Sequence, residues 1–119
     1  RIDRIGAYAA RPEAKCVVAA GLARRCEVHL GYVIGHARPV SVAVECFGTA
    51  TVAEEEIARR VAANFDFRPA AIERRFALRS RAQAAGEAGF FRPLAVYGQM
   101  GREDLGVPWE ETGEAALLR

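Results

Sequence analysis

The chain has 119 residues, enough for one domain with one modest core. Hydrophobic residues make up 51% and charged residues 27%, an ordinary balance for a globular domain, and no apolar run approaches the roughly 20 residues that a membrane helix needs. A formal net charge of +2 is too small to call for a polyanionic partner, so neither a nucleic acid nor a membrane is expected. Lys15 is the only lysine among many arginines, which reads as an Ala/Arg/Gly compositional bias. Cys16, Cys26 and Cys46 have no C-x-x-C spacing and no nearby pair of histidines, so a zinc site is not expected. They read as free thiols in a reducing cytoplasm. Because the chain begins with Arg1, it is expected to be part of a longer product.

Residues 3 to 21 read as a helix, with Asp3 as N-cap and Gly21 just past its end. Pro12 lacks an amide donor, and a kink or a restart is expected there. Residues 27 to 34 alternate, placing Val28, Leu30, Tyr32 and Ile34 on one face. Gly35 to Pro39 supply turn chemistry, and a second strand follows over 40 to 47 with Val40, Val42, Val44 and Cys46 on one side. So short a connection predicts an antiparallel hairpin.

A second helix starts near Thr51 or Ala53 and ends near Asn64. Thr51 and Glu54 have capping-box spacing, and Ile57, Val61 and Phe65 make an inward stripe. Glu55 with Arg59 and Glu56 with Arg60 are spaced to pair across one turn. Pro69 begins a short helix through about Phe76. Residues 80 to 89 read as a surface loop, and 93 to 100 fit either a short strand or a helical turn. At most one helical turn is expected over 114 to 119. The fold class is α+β, an antiparallel sheet (hairpin about 27–47) covered by helices. Tyr97 and Trp109 are expected to fix the C-terminal segment to the core. His29 and His36, without a nearby acid or nucleophile, read as structural.

Several words in the sequence carry a family likeness. Asp3-Arg4 with Ala7-Tyr8-Ala9-Ala10-Arg11 resembles the D-R-S-A-A-Y-A-A-R segment of S-adenosylmethionine synthetases. Val18 to Ala23 with Arg25-Cys26-Glu27-Val28 is similar to V-A-A-G-L-A-x-R-C-E-[IV]. Tyr32-Val33-Ile34-Gly35 resembles Y-A-I-G, and Phe47-Gly48-Thr49 matches F-G-T. Phe65 to Ile72 resembles F-D-L-R-P-A-A-I. Tyr97-Gly98, Gly101 to Asp104 and Pro108-Trp109-Glu110 resemble Y-G-H-F-G-R-E-D and F-P-W-E. The words keep the family order, with residues 80 to 92 as the main gap.

The resemblance implies the C-terminal domain of a methionine adenosyltransferase, present as a single partial domain over residues 1–119. That family joins ATP and L-methionine into S-adenosylmethionine with magnesium and potassium, in homodimers or homotetramers whose active sites lie between subunits. Its phosphate-handling G-R-K strand and G-G-G-A-F-S-G-K-D loop do not occur here, and its metal-binding acids belong to the N-terminal and central domains. The expected role is therefore scaffold and interface, without catalytic or metal-binding residues in this segment. Arg1 alone falls where the family has a lysine that contacts substrate methionine. Pro12, Arg38 and Gln99-Met100 depart from the family pattern, which raises the alternative of an inactive relative serving as a regulatory or interaction subunit.

Overall fold

A computed structural model describes residues 1–119. The first helix, α1, spans Ile2–Ala19 and is not interrupted at Pro12. It starts one residue before Asp3, which lies in the first turn, and no side chain caps it. The helix does not restart at Pro12, whose ring is buried on the core side with Ala9, Glu13 and Cys16. Pro12 leaves the Tyr8 carbonyl without its usual donor, but the apolar ring gains the contacts of a buried side chain. The end of α1 follows the expectation closely. Gly21 has φ 80°, its amide reaches the Val18 carbonyl at 3.0 Å, and the Leu22 amide reaches Val17 at 3.1 Å. These two bonds make a Schellman closure, which needs a left-handed residue at that place.

Strands β1, Glu27–Gly31, and β2, Ser41–Glu45, pair antiparallel, with Val28 opposite Val44 and Leu30 opposite Val42. Both strands are shorter than the alternation predicts. Ile34 and Val40 lie outside the ladder and are exposed, while Tyr32 turns aside to donate a 2.6 Å hydrogen bond to the Phe67 carbonyl. Helix α1 packs along β1, and α2, Glu54–Asn64, packs along β2. The architecture is α+β, with the hairpin covered by helices.

Ile57 and Val61 are fully buried and Phe65 nearly so, as their spacing requires. The capping box does not form. The Thr51 hydroxyl donates back to the Leu22 carbonyl at 3.2 Å, and Glu54 accepts the Cys46 amide at 3.3 Å. Both side chains thus tie α2 to earlier segments instead of to each other. Glu56 holds both Arg59 and Arg60, at 2.8 and 2.9 Å, and the Glu55–Arg59 pair is not made.

Helix α3, Pro69–Phe76, has the predicted bounds, with Pro69 in its first turn. The segment read as a loop begins instead with α4, Leu78–Ala84, and only residues beyond it are irregular. Ala77 links α3 and α4 in the left-handed conformation, φ 51° and ψ 43°. From there the chain runs through short 3₁₀ turns at Gly86–Ala88, Pro93–Ala95, Glu103–Leu105, Pro108–Glu110 and Ala115–Leu118. The open choice over 93 to 100 therefore resolves to a helical turn, pinned by the buried Leu94. Trp109 is fully buried as expected, whereas Tyr97 is 93% exposed and fixes nothing. No helix is long and apolar enough to cross a membrane.

Candidate functional site

Most of the conspicuous sequence words meet one another in space. On the buried side of α1, Tyr8 stacks on Trp109 with ring centroids 3.8 Å apart and planes 4° from parallel. Phe76 and Phe90 close the cage edge-on, at 6.2 and 6.0 Å from the Trp109 ring. The Tyr8 hydroxyl donates to the Gln99 side chain, and the Trp109 indole donates to the Gln99 carbonyl at 2.8 Å. Burial raises the pKa of Tyr8 against the opposing influence of Arg4.

One turn along α1, Arg11 grips Glu110 through a fork of hydrogen bonds at 3.0 to 3.3 Å. Lys15 reaches the same carboxylate at 3.1 Å and the Glu110 carbonyl at 2.8 Å, and the Gly101 amide donates at 3.0 Å. Burial pushes the Glu110 carboxyl up, but these donors outweigh it and hold its pKa at about 2. The A-A-R word and the P-W-E word are thus two halves of one clamp between the first helix and the last turns.

A second clamp joins the loop after α1 to the turn after β2. The Thr49 hydroxyl accepts the amides of Arg24 and Arg25, both at 3.1 Å, and donates to the Cys46 carbonyl at 2.7 Å. The F-G-T word therefore secures the loop that leads into R-C-E.

The remaining feature is a cavity of about 910 Å³ between the first half of α1 and the hairpin. Gly6, Leu30, Tyr32 and Pro69 form part of its wall, and Arg1, Asp3, His29 and His36 bring polar groups to it. A Cβ on Gly6 would stand 3.4 Å from the Tyr32 ring, so glycine keeps the wall close without opening a gap. Arg1, the residue singled out from the sequence, lines this cavity beside α1. The reading of His29 as lacking a nearby acid needs correction: its Nε2 lies 2.7 Å from Glu27, two residues back on the same strand face. No group of three or more His, Cys, Asp or Glu side chains is arranged to hold a metal ion. The side chains present therefore do not fit a magnesium ion.

A feature that the sequence did not single out is Glu13. It is fully buried on α1, paired with Arg75 of α3, and its Oε2 has no hydrogen-bond partner. Burial raises its pKa to about 7 despite Arg75. Only its position among the buried residues of a helix, four beyond Ala9 and four before Val17, could have marked it.

A hairpin covered by helices, an aromatic cage and a cavity beside α1 define a small α+β domain closed by long-range clamps. In keeping with this, residues 1–111 match the family model described as S-adenosylmethionine synthetase, C-terminal domain, and the chain belongs to that family. It is 50% identical over 119 residues to an S-adenosylmethionine synthase of Synechococcus sp. (strain JA-2-3B'a(2-13)), covering all of this chain and 28% of that one. It is 52% identical over 120 aligned residues to an S-adenosylmethionine synthase of Gloeobacter violaceus, again covering 28% of the relative. A solved S-adenosylmethionine synthetase from Campylobacter jejuni superposes with a TM-score of 0.86 at 38% identity, over 99% of this chain and 30% of that one. The chain thus spans little more than a quarter of the length of these curated relatives.

Proposed function

We propose that this chain acts as the C-terminal domain of a methionine adenosyltransferase, which forms S-adenosylmethionine from ATP and L-methionine. Its own part is scaffold and interface. The observation that carries this reading is that the family words pair into two clamps, so what this chain retains is what holds a domain in shape. The family's phosphate-handling strand and Gly-rich loop belong to a part of the third domain outside these residues, and the acids that bind magnesium and potassium belong to the N-terminal and central domains, in a cytoplasmic homodimer or homotetramer. Arg1 supplies a cation at the α1–hairpin cavity, positioned to meet the carboxylate of substrate methionine. Guanidinium keeps the charge of the family's lysine, though its planar fork spreads the donors differently.

The departures at Pro12 and Gln99 fit the scaffold, since one fills the core side of α1 and the other serves both Tyr8 and Trp109. They therefore lend no separate support to an inactive, regulatory relative. The test is product formation with ATP, methionine, magnesium and potassium. The protein expressed from its own full gene makes S-adenosylmethionine, and residues 1–119 alone make none above a no-protein control. In the full protein, Arg1→Ala raises KM for methionine roughly tenfold, the loss of one charge-assisted contact, and leaves KM for ATP unchanged. Product from residues 1–119 alone refutes the scaffold reading, and an unchanged methionine KM refutes the role of Arg1.

A further inference from the structure

The hairpin register carries a second consequence. Glu27 stands opposite Glu45, so the next pair outward is Cys26 opposite Cys46. No backbone hydrogen bond joins these two residues, because the Cys46 amide goes to Glu54 and its carbonyl to Thr49. Directly opposed residues without mutual backbone bonds approach more closely than bonded pairs and bring their side chains together. The two thiols lie close enough for each to shift the ionisation of the other. They are not equivalent: Cys46 is fully buried, whereas Cys26 is partly exposed. Cys26 also borders a cavity of about 510 Å³ whose walls carry Arg11, Lys15, Arg24 and Arg25. Arg11 and Lys15 are engaged by Glu110, but Arg24 and Arg25 make no ion pair.

We infer that Cys26 and Cys46 form a reversible dithiol–disulfide pair, oxidised by an anionic low-molecular-weight disulfide that enters through this cationic cavity. The Cys26 thiolate attacks one sulfur of the incoming disulfide, forming a mixed disulfide and releasing one thiolate. Cys46, as its thiolate, then attacks the Cys26 sulfur and releases the second thiolate. The two protons lost by the cysteines go to the two released thiolates, so two protein thiols are oxidised as one small disulfide is reduced. The bond joins the base of the hairpin to the segment that Glu54 and Thr49 already secure. Cys16, buried in α1, takes no part. Burial pushes the Cys26 thiol up to about 12, so its thiolate is scarce and the reaction is slow at neutral pH. The rate rises about tenfold per pH unit, following the thiolate fraction.

The experiment treats the protein expressed from its own gene with oxidised glutathione, then measures intact mass and maps thiols after denaturation. The expected product has lost two hydrogens, with Cys26 and Cys46 joined and Cys16 free. Cys46→Ser stops at a glutathione adduct on Cys26, and Cys26→Ser gains neither adduct nor disulfide. On the folded protein, oxidised glutathione gains on the dicationic disulfide cystamine severalfold relative to the same protein unfolded in urea. Persistence of both thiols, or a stable glutathione adduct on the wild-type protein, overturns the pair. An unchanged glutathione-to-cystamine ratio overturns the role of the cavity. The wild-type mass decides the first point even if a serine variant does not fold.

Discussion

Two carboxylates on either side of α1 meet opposite fates, and the donors around each account for the difference. Glu110 has Arg11, Lys15 and the Gly101 amide, and stays ionised despite burial. Glu13 is faced by Arg75 from α3 on one oxygen only, with Cys16 on its own helix and Glu114 beyond Arg75 adding no donor to Oε2. Its folded pKa, about 7, lies above the ordinary 4.5, so its protonated form favours the fold. Stability from this group is full below the unfolded value and is lost as pH rises through about 7. A thermal melt is therefore expected at lower temperature at pH 8 than at pH 5.5, and Glu13→Gln should flatten that difference. A melt equally high at both values contradicts the assignment. Glu110 behaves inversely. Its contribution is present above the ordinary 4.5 and disappears as pH falls toward about 2. Glu110→Ala leaves Arg11 and Lys15 without their buried partner and should cost on the order of 3 kcal/mol in a urea titration at pH 7.

At the scale of elements, the legible parts were those where chain-local physics agrees with packing. Pro69 and the Ile57–Val61–Phe65 stripe state their helices directly, and Gly21 states the end of α1. Other elements escaped because a tertiary partner overruled a local signal. Pro12 reads as a breaker until its ring is seen among buried neighbours, and Thr51 reads as a cap until Leu22 takes its hydroxyl. Helix α4 was hidden for a different reason. The turn before it uses Ala77 where glycine would ordinarily advertise a left-handed residue, and the burial of Leu78 keeps it there. Ala77→Gly removes that strain and should stabilise the fold by roughly 0.5–1 kcal/mol, read as a higher denaturation midpoint with unchanged slope. A lower midpoint would place the turn under no strain.

For the whole molecule, the ordered words in the sequence announced the family, and the resemblance named Arg1, which lines the cavity. The cavity itself, Glu13 and the facing of Cys26 with Cys46 depend on distances across the fold and had no signature in spacing. The sheet has only two strands, and Val33, Ile34 and Val40 at the hairpin tip are exposed. A short ladder with open edges and an apolar tip invites pairing with other copies. Residues 1–119 alone are therefore expected to elute from a sizing column as larger, concentration-dependent species. A single monomer peak at every concentration would contradict this.

The clamp between Arg11 and Glu110 also sets an order of events in synthesis. Its two sides are 99 positions apart, and Tyr8 has no ring to stack on until Trp109 has been made. While the ribosome is still adding residues, the hairpin and α2 can associate, but the inward face of α1 lacks its C-terminal cover. Closure of so distant a contact is slow compared with local pairing. The domain therefore finishes folding only after its last turns have left the exit tunnel, and a nascent chain cut short before Val107 would present a sticky helix to the quality-control machinery.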